Sequence, residues 1–321
     1  MRISMVTDSL AHLGFEELLD TAAGLGITQL EFPTGGWSSA PHLDLDRLLA
    51  DAGARNAFSD ALERRGITIS ALNANGNQLH PVIGPQVDRV LHRTVDLASL
   101  LGIGTVVCMS GLPAGAPGDR TPNWVTTSWP PETQEILNHQ WNEVAIPYWK
   151  DLAGYGRDKG VRFAVEMHGD QLVYNAATLL RLREAVGETV GANLDPSHPM
   201  WMGADPLAMI RALRGAVFNV HAKDSRRQPQ VADVNGMLDT QPPERSYDRS
   251  WNYVTLGLGH PGGQQFWGRF CADLRAGGYD GPLAIEHEDV AMDAVEGVAQ
   301  TVRLLSEVLL VGPPSWKPQA I

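Results

Sequence analysis

Short apolar runs alternate with longer amphipathic segments along most of the chain. The first pair is representative: Arg2–Thr7 has a strand-like pattern, and Phe15–Leu25 then places its apolar residues on one face at the helical period. Runs this short, bounded by glycine, proline and helical segments, are typical of parallel strands buried on both faces. The pattern predicts strands at Arg2–Thr7, Ile27–Thr34, Ile67–Asn75 and Thr105–Gly111, followed by four more in the second half of the chain.

Eight amphipathic segments follow these strands. They predict helices at Phe15–Leu25, Asp44–Arg65, Val87–Leu101, Pro131–Lys159 (interrupted or bent at Pro147), Ala176–Val186, Pro206–Arg214, Phe266–Ala276 and Val295–Leu310. Such alternation is the pattern of an α/β protein with a (β/α)8 TIM barrel. We expect one domain over residues 1–321, with long active-site loops at 112–130 and 225–265 and a non-helical tail from Gly312. The alternative, an open doubly wound sheet, requires a glycine-rich phosphate loop after the first strand, and Asp8–Gly14 is not one.

The last four strand-like runs share a feature that the earlier ones lack. Each ends on charged or metal-binding side chains, and the runs are Val161–His168, Ala192–His198, Val217–Asp224 and Pro282–Glu288. Sites of (β/α)8 barrels lie at the carboxyl ends of the strands. Any one of these residues alone has an ordinary explanation, as a salt-bridge partner, a helix cap or a hydrogen-bonded core histidine. Their recurrence on four consecutive strands favours one metal site formed by Glu166, Asp195, His221 and Glu286.

Three carboxylates and one imidazole form an oxygen-rich ligand set. It suits Mn²⁺, Mg²⁺ or Co²⁺ better than structural Zn²⁺, which prefers cysteine and histidine. Side chains two positions apart share one face of a strand, so His168, Lys223 and Glu288 are expected beside the ligands. His198 follows Asp195 by three residues, on the strand-to-helix loop.

Further side chains on the loops are candidate substrate contacts: Asn77, His80, Trp124 and His260. Asn77 and His80 follow the third strand and are able to bind a polyol, with turn formation as the alternative. Trp124 offers a stacking surface for a sugar or aromatic ring, with packing of the loop as the alternative. His260 lies in the long segment at 225–265.

Composition restricts the choice of partners. The formal net charge of −12 disfavours binding to nucleic acid, which usually requires a basic face. Two cysteines are too few for a disulfide framework, and Cys108, inside an apolar strand, is expected to be a buried thiol. No signal peptide and no apolar run of about 20 residues is evident. We therefore predict a cytoplasmic protein that binds a small molecule and neither nucleic acid nor a membrane.

Taken in order, these motifs resemble a known family. The glutamate that ends the fifth strand, Asp195-Pro-Ser-His198 after the sixth, Val220-His-Ala-Lys-Asp224 at the seventh and the glutamate that ends the eighth resemble the xylose-isomerase-like barrels. That superfamily includes sugar phosphate isomerases and epimerases and the AP-endonuclease-2 proteins. The resemblance covers essentially the whole chain and is most specific at the four ligand positions.

The resemblance implies a divalent-metal-dependent sugar isomerase or epimerase, with Mn²⁺ as the expected metal. In the keto-sugar epimerases of that superfamily the two glutamates, here Glu166 and Glu286, also move the proton. A related branch, the catalytic subunits of C-glycoside deglycosidases and 3-oxo-glycoside lyases, uses the same first step to expel a substituent. There His168 would be an acid or base, and a small β-rich partner subunit would be needed. A homo-oligomer is the other expected assembly.

Two alternatives belong to other classes. A DNA-repair nuclease on the same fold would resemble a three-zinc cluster with more histidines and a basic groove, which the net charge of −12 disfavours. A non-catalytic sugar-binding or scaffold barrel would have no need of an intact four-ligand set. An unchanged activity in Glu166→Gln would favour that second alternative.

Overall fold

The structure, a computed structural model, describes residues 1–316, and within them eight parallel strands close into a barrel. Each barrel strand pairs with the next in the chain, and the last pairs with the first through Arg2–Pro282 to Met5–Ile285. This confirms the predicted (β/α)8 architecture. The barrel strands are β1 (Arg2–Val6), β2 (Gln29–Pro33), β3 (Thr68–Asn73), β4 (Thr105–Met109), β5 (Arg162–Glu166), β6 (Val190–Leu194), β7 (Val217–Ala222) and β10 (Pro282–Ile285).

Helices cover the outside of the barrel and part of its mouth. They are α1 (Phe15–Gly24), α2 (Leu45–Ala50), α3 (Ala52–Glu63), α4 (Gly84–Leu101), α5 (Glu132–Asn138), α6 (Ile146–Asp158), α7 (Ala176–Val186), α8 (Ser197–Met202), α9 (Pro206–Ala212), α10 (Pro229–Asn235), α11 (Gly263–Ala276) and α12 (Ala294–Val308). None of these helices, within residues 1–316, is long and apolar enough to cross a membrane. The predicted tail leaves the helical pattern as expected, although Lys317 and the residues after it lie outside the described part.

Two predicted helices are each divided in the structure. The segment 44–65 forms α2 and α3 because Asp51 is extended (φ −123°, ψ 112°) and its side chain accepts the N–H of Gly53 at 2.7 Å. The segment 131–159 forms α5, seven residues of π-helix at His139–Ala145, and then α6. Pro147 is the second residue of α6, which directly follows the π-helical residues. The π-helical residues thus interrupt the predicted helix just before Pro147.

The barrel interior is layered because inward side chains recur every second residue. A small apolar layer contains Ala71, Val107 and Ala164, with Phe218 packed against it. Two residues further along their strands, Asn73 and Glu166 begin a polar layer at the carboxyl ends. The larger apolar core, with the fully buried Trp149 and Trp267, lies between the strands and the helices. The candidate site therefore lies directly on an apolar layer of the barrel interior.

The long segments over the barrel mouth contain more structure than the sequence indicated. Residues 225–265 were expected to be a loop, but β8 (Asp224–Arg227) and β9 (Trp251–Val254) form an antiparallel hairpin there, with α10 between them. β8 has the sequence Asp-Ser-Arg-Arg, so no apolar run marks it as a strand. The other long segment, 112–130, has neither strand nor helix in the structure apart from an isolated bridge between Ala114 and Pro122.

Asp224 fastens this hairpin to the barrel. Its buried carboxylate accepts the backbone N–H groups of Gly257 (2.9 Å), Gly259 (3.2 Å) and His260 (2.9 Å) and the indole N–H of Trp267 (3.2 Å). The same carboxylate accepts the N–H of Ser225 at 2.9 Å. Five donors on one side chain make Asp224 the anchor between β7 and the segment that covers the mouth.

Asp224→Ala is expected to lower the free energy of unfolding by about 3 kcal/mol or more, because several buried N–H groups lose their acceptor and each costs about 1–3 kcal/mol. Thermal unfolding followed by circular dichroism measures the loss. Asp233→Ala is the matched control, since its ion pair with Arg227 is exposed and is worth about 0–1 kcal/mol. Equal melting temperatures for the two variants would contradict the anchoring role.

Candidate functional site

The four predicted ligands meet at the carboxyl end of the barrel. Glu166 ends β5, Asp195 directly follows β6, His221 lies one residue before the end of β7, and Glu286 directly follows β10. One ligand atom from each lies within 4.8 Å of the other three. Glu166, Asp195 and His221 are buried, and Glu286 is partly exposed toward the mouth. We refer to these four residues as the cluster.

Two atoms of the cluster have no hydrogen-bond partner in residues 1–316. They are Oδ2 of Asp195 and Nδ1 of His221, and both are fully buried. The His221 nitrogen lies 3.3 Å from Oε2 of Glu166 and 3.1 Å from Oε2 of Glu286. Oδ2 of Asp195 lies 3.2 Å from Nε2 of His198 but forms no well-oriented hydrogen bond with it. Buried polar atoms are normally satisfied, so a carboxylate oxygen and a ring nitrogen that both lack a hydrogen bond mark a position that suits a cation.

A carboxylate that the sequence analysis missed holds His221 from behind. Glu31 on β2 is fully buried, and its Oε1 lies 3.0 Å from Nε2 of His221. The imidazole therefore donates through Nε2 and presents Nδ1 to the cluster. Glu31 also accepts the side-chain amides of Asn73 (2.8 Å) and Asn219 (2.9 Å). This carboxylate–histidine arrangement is typical of residues that orient a metal-binding imidazole.

The cluster glutamates are held in place by different partners. Oε2 of Glu166 accepts the amide of Asn193 at 2.8 Å and that of Asn75 at 3.3 Å. Oε2 of Glu286 accepts the ammonium of Lys223 at 3.2 Å. Burial raises the pKa of Glu286, but the charges of Lys223 and His221 outweigh it and lower the pKa to about 2. Both carboxylates are therefore ionised and oriented at neutral pH.

His198 and His168 stand side by side next to the cluster, with ring centroids 4.0 Å apart. The sequence predicted His198 on a loop, but it is the second residue of α8. Its Nε2 lies 3.1 Å from Oε1 of Glu166 and 3.2 Å from Oδ2 of Asp195. Burial lowers the pKa of His168 to about 4, with a contribution from the charge of His198. His168 is therefore a neutral imidazole, which can donate or accept a proton.

A cavity of about 240 Å³ opens above the cluster. Glu166, Glu286, His168, His198 and Lys223 line it, together with Glu288, which forms an ion pair with Lys223 at 2.6 Å. The structure thus brings five of the predicted catalytic and substrate-binding residues to one cavity. Other residues of the wall were not predicted from the sequence as site residues: Asp8, Ser9, Ser38, Tyr253 and His287.

Trp37 reaches this cavity because the backbone before it takes an unusual path. Gly36 has φ +80°, and a Cβ atom there would lie 2.2 Å from the carbonyl oxygen of Asn75. Only glycine fits so close an approach. The turn brings the indole of Trp37 to 5.9 Å from the ring of His168. Trp37 therefore forms part of the cavity wall.

Two predicted substrate contacts instead support loop backbone. The side chain of Asn77 is buried and bonds both the N–H (2.9 Å) and the carbonyl (3.0 Å) of Leu112. Nδ1 of His80 accepts the N–H groups of Val82 (3.1 Å) and Ile83 (3.3 Å). Neither residue lines the cavity above the cluster. The structure thus favours turn formation, the alternative reading of these two residues.

The other two predicted contacts lie beside the site rather than in it. Trp124 packs edge-on against Tyr174, with ring centroids 5.8 Å apart, and lines a separate cavity of about 320 Å³ with Trp201. The ring of His260 stacks on Phe266 with ring centroids 3.8 Å apart. Both were plausible from sequence because aromatic and imidazole side chains in long loops often bind ligands. Here they pack the segments around the mouth.

The charges of the cluster fit a divalent cation. Glu31, Glu166, Asp195 and Glu286 place four carboxylates in or against a buried space, and Lys223 is the nearest ammonium. Buried charges are costly unless they are paired or bind a metal. Burial lowers the pKa of His221, but the charges of Glu31, Glu286 and Glu166 outweigh it and hold the pKa well above its usual value. The cluster thus attracts positive charge.

Glu31→Gln is expected to weaken metal binding by about 10–100-fold, the usual effect of losing a residue that orients a metal-binding histidine. Glutamine offers one oxygen where Glu31 serves three donors, so at least one donor loses its partner. Competition with a chelator measures the affinity. Ser4→Ala is the control, because it removes a 2.9 Å bond to Ser70 elsewhere in the barrel. Identical affinities in Glu31→Gln and the unaltered protein would contradict the role.

The protein is thus a closed (β/α)8 barrel whose buried carboxylate–imidazole cluster, at four successive strand ends, could hold a divalent metal ion. A sequence model of the Xylose isomerase-like TIM barrel family matches residues 19–308, and the chain belongs to that family. The predicted family is thereby confirmed.

Three similar proteins illustrate the relationship. The chain is 48% identical over 313 residues, 96% of its length and 99% of the other, to the "Uncharacterized protein YfiH" of Bacillus subtilis (strain 168). The solved structure of the IOLI protein with a bound zinc atom superimposes with a TM-score of 0.67 at 15% identity, covering 96% of this chain and 98% of that one. An L-ribulose 3-epimerase gives a TM-score of 0.63 at 16% identity, covering 96% and 94%. The two structures establish the shared fold.

Proposed function

We propose that this protein is a divalent-metal-dependent enzyme that removes the proton next to the carbonyl of a keto-sugar and returns it to give an isomer or epimer. The observation that carries the proposal is the cluster itself. Three carboxylates and one imidazole stand at four successive strand ends, and two of their buried atoms, Oδ2 of Asp195 and Nδ1 of His221, are unpaired in residues 1–316. The family and its epimerase neighbour support the same reaction class.

Glu166, Asp195, His221 and Glu286 would hold the metal. When bound, the ion would polarise a substrate carbonyl and make the adjacent C–H bond more acidic. The oxygen-rich set favours Mn²⁺, with Mg²⁺ and Co²⁺ as alternatives, and the zinc atom named for the IOLI protein makes Zn²⁺ a necessary comparison.

Glu166 and Glu286 are the proposed proton carriers. They come from the first and last of four consecutive strands, so they approach the cavity from different parts of the barrel wall. Each is fixed by neighbours, Glu166 by Asn193 and Glu286 by Lys223. A carboxylate oxygen positioned in this way takes a proton from one carbon and returns it to another, or to the other face of the same carbon.

His168, His198 and Lys223 are the proposed substrate-binding residues. All three line the cavity, and His198 also lies against Glu166 and Asp195. The neutral His168 is suited to donate to, or accept from, a substrate hydroxyl. Lys223 stands 4.2 Å above the ring of Tyr253, which fixes its ammonium at the cavity wall.

A lyase acting on 3-oxo-glycosides is the second candidate, and one observation favours it. The apolar cavity of about 320 Å³ that Trp124 and Trp201 line adjoins Gly169, the residue after His168, and could receive a leaving group. Elimination and isomerisation share the proton-removal step. A small partner subunit or a homo-oligomer belongs to this proposal and remains a prediction.

The experiment is proton NMR and mass spectrometry in D₂O with apo, Mn²⁺-, Mg²⁺-, Co²⁺- and Zn²⁺-loaded protein, the protein being removed before the spectra are taken. The substrates are free ketoses and 3-oxo-glucosides with O- or C-linked aglycones. Deuterium next to a carbonyl with an intact carbon skeleton supports the isomerase, and a released aglycone supports the lyase. No exchange in any substrate with metal bound rejects the proposal, and incision of an abasic-site duplex would instead support the nuclease.

A further inference from the structure

The cavity above the cluster is strongly acidic. Asp8, Glu166, Glu286 and Glu288 line it, whereas Lys223 is the one lysine and no arginine is present among its lining residues within the described chain. Glu31 and Asp195 lie directly behind the wall, buried among the residues of the cluster. Burial lowers the pKa of His198, but the neighbouring Asp195 and Glu166 outweigh it and raise the pKa to about 9. Six carboxyl groups thus face one ammonium and the imidazolium of His198, so an excess of negative charge remains even after a divalent cation is added.

Lys223 is not free to bind an anionic substrate. Its side chain is 5% exposed, and its ammonium contacts Oε2 of Glu286 at 3.2 Å and Oε2 of Glu288 at 2.6 Å. The ammonium also lies over the face of Tyr253. The Lys223 ammonium is thus already paired with two carboxylates and an aromatic ring. A substrate phosphate or carboxylate would have to compete with Glu286 and Glu288 for it.

Two hydrogen-bonding atoms of the wall that have no partner in the described chain are acceptors. Nδ2 of Asn75 donates to Glu166, which leaves its Oδ1 without a partner in residues 1–316. Oδ1 of Asp8, two residues after the end of β1, is unpaired in the same described range. An acceptor is satisfied by an O–H group and not by a phosphate or carboxylate oxygen. The wall therefore matches a molecule that carries hydroxyl donors.

The volume sets the size of that molecule. A cavity of about 240 Å³ lies just below the roughly 300–1,000 Å³ of pockets for drug-sized ligands. It suits one sugar ring or one open-chain sugar rather than a nucleotide sugar or an oligosaccharide.

From this charge, hydrogen bonding and size we infer that the site selects an uncharged polyhydroxy ketone and discriminates against phosphorylated or carboxylated sugars. The inference rests on the proposed function and narrows its substrate class. Like charges brought together in a partly buried space reduce affinity steeply. The unphosphorylated ketose is expected to bind at least about tenfold more tightly than its phosphate ester.

The test uses matched pairs, such as D-fructose with D-fructose 6-phosphate and D-ribulose with D-ribulose 5-phosphate. Binding to the Co²⁺-loaded protein is followed by its visible spectrum, and turnover is followed by deuterium incorporation in D₂O. Binding and exchange of the neutral member, with at least about tenfold weaker binding of the ester, supports the inference. Equal or tighter binding of the esters overturns it, while exchange in the esters would leave the proposed proton chemistry standing.

A charge variant makes the test specific to the cavity wall. Glu288→Lys replaces one partner of Lys223 by a second ammonium, and should shift the ratio of ester to ketose affinity at least about tenfold toward the ester. Asp233→Lys makes the same charge change at an exposed site outside the cavity and should leave the ratio unchanged. Equal shifts in the two variants would attribute the selectivity to overall charge and overturn the inference. Absence of exchange in every ketose and ester with metal bound rejects the proposed function itself.

Discussion

Replacing His221 by alanine is expected to abolish both metal content and proton-exchange activity. The imidazole is fully buried, and its unpaired Nδ1 lies within 3.3 Å of Oε2 of both cluster glutamates. Without it, three carboxylates of the cluster and Glu31 share a space that has lost its nitrogen ligand. Because residues that merely orient a ligand change metal affinity by about 10–100-fold, loss of the ligand itself should exceed that range.

Metal per chain, measured by mass spectrometry after dialysis against a weak chelator, is the direct readout. Asp195→Ala should behave like His221→Ala, because its Oδ2 is the second unpaired atom. His92→Ala is the matched control: its imidazole pairs with Asp88 on α4, outside the barrel, so metal and activity should persist. Full metal occupancy in His221→Ala would show that the cluster is not the binding site.

The fold was predictable because its signal is repeated. The same unit, an apolar strand followed by an amphipathic helix, recurs along the chain. A single error, such as the undetected division of 44–65 at Asp51, therefore does not change the predicted number of barrel strands. Glu166, Asp195, His221 and Glu286 were predictable for the same reason. They lie within one residue of the carboxyl ends of four successive barrel strands, and the barrel brings those strand ends together.

The residues that support the cluster were much less visible. Glu31 lies 190 positions before His221, and only closure of the barrel brings their side chains together. Its one signal was a charge between Leu30 and Phe32 in an otherwise apolar strand. Polar loop residues, in contrast, were predicted as substrate contacts although they bond to loop backbone. Asn77 uses its amide to hold Leu112, and a side chain that satisfies backbone has the same chemistry as one that binds a sugar.

Glu166→Gln is expected to lower the rate of deuterium exchange at saturating metal by about 10³-fold, within the 10²–10⁴-fold range of general acid–base catalysis. The change removes one basic oxygen while keeping the size of the side chain. Glutamine can still accept the amide of Asn193, so the variant should fold and retain weakened metal binding. Measurement at saturating metal therefore separates proton transfer from ligation.

The paired variant Glu286→Gln makes the experiment sharper. Suppose that the two carboxylates act on different faces of one carbon or on different carbons of the substrate. Each single variant should then lose net isomerisation. One of the two variants should still exchange a substrate proton for deuterium, because its remaining glutamate reaches that proton. Glu288→Gln is the control for a change of charge at the cavity wall, because Glu288 contacts Lys223 and does not belong to the cluster. Unchanged exchange in both Glu166→Gln and Glu286→Gln, with metal bound, would remove the glutamates from proton transfer. Such a result would favour a barrel that binds sugars without converting them.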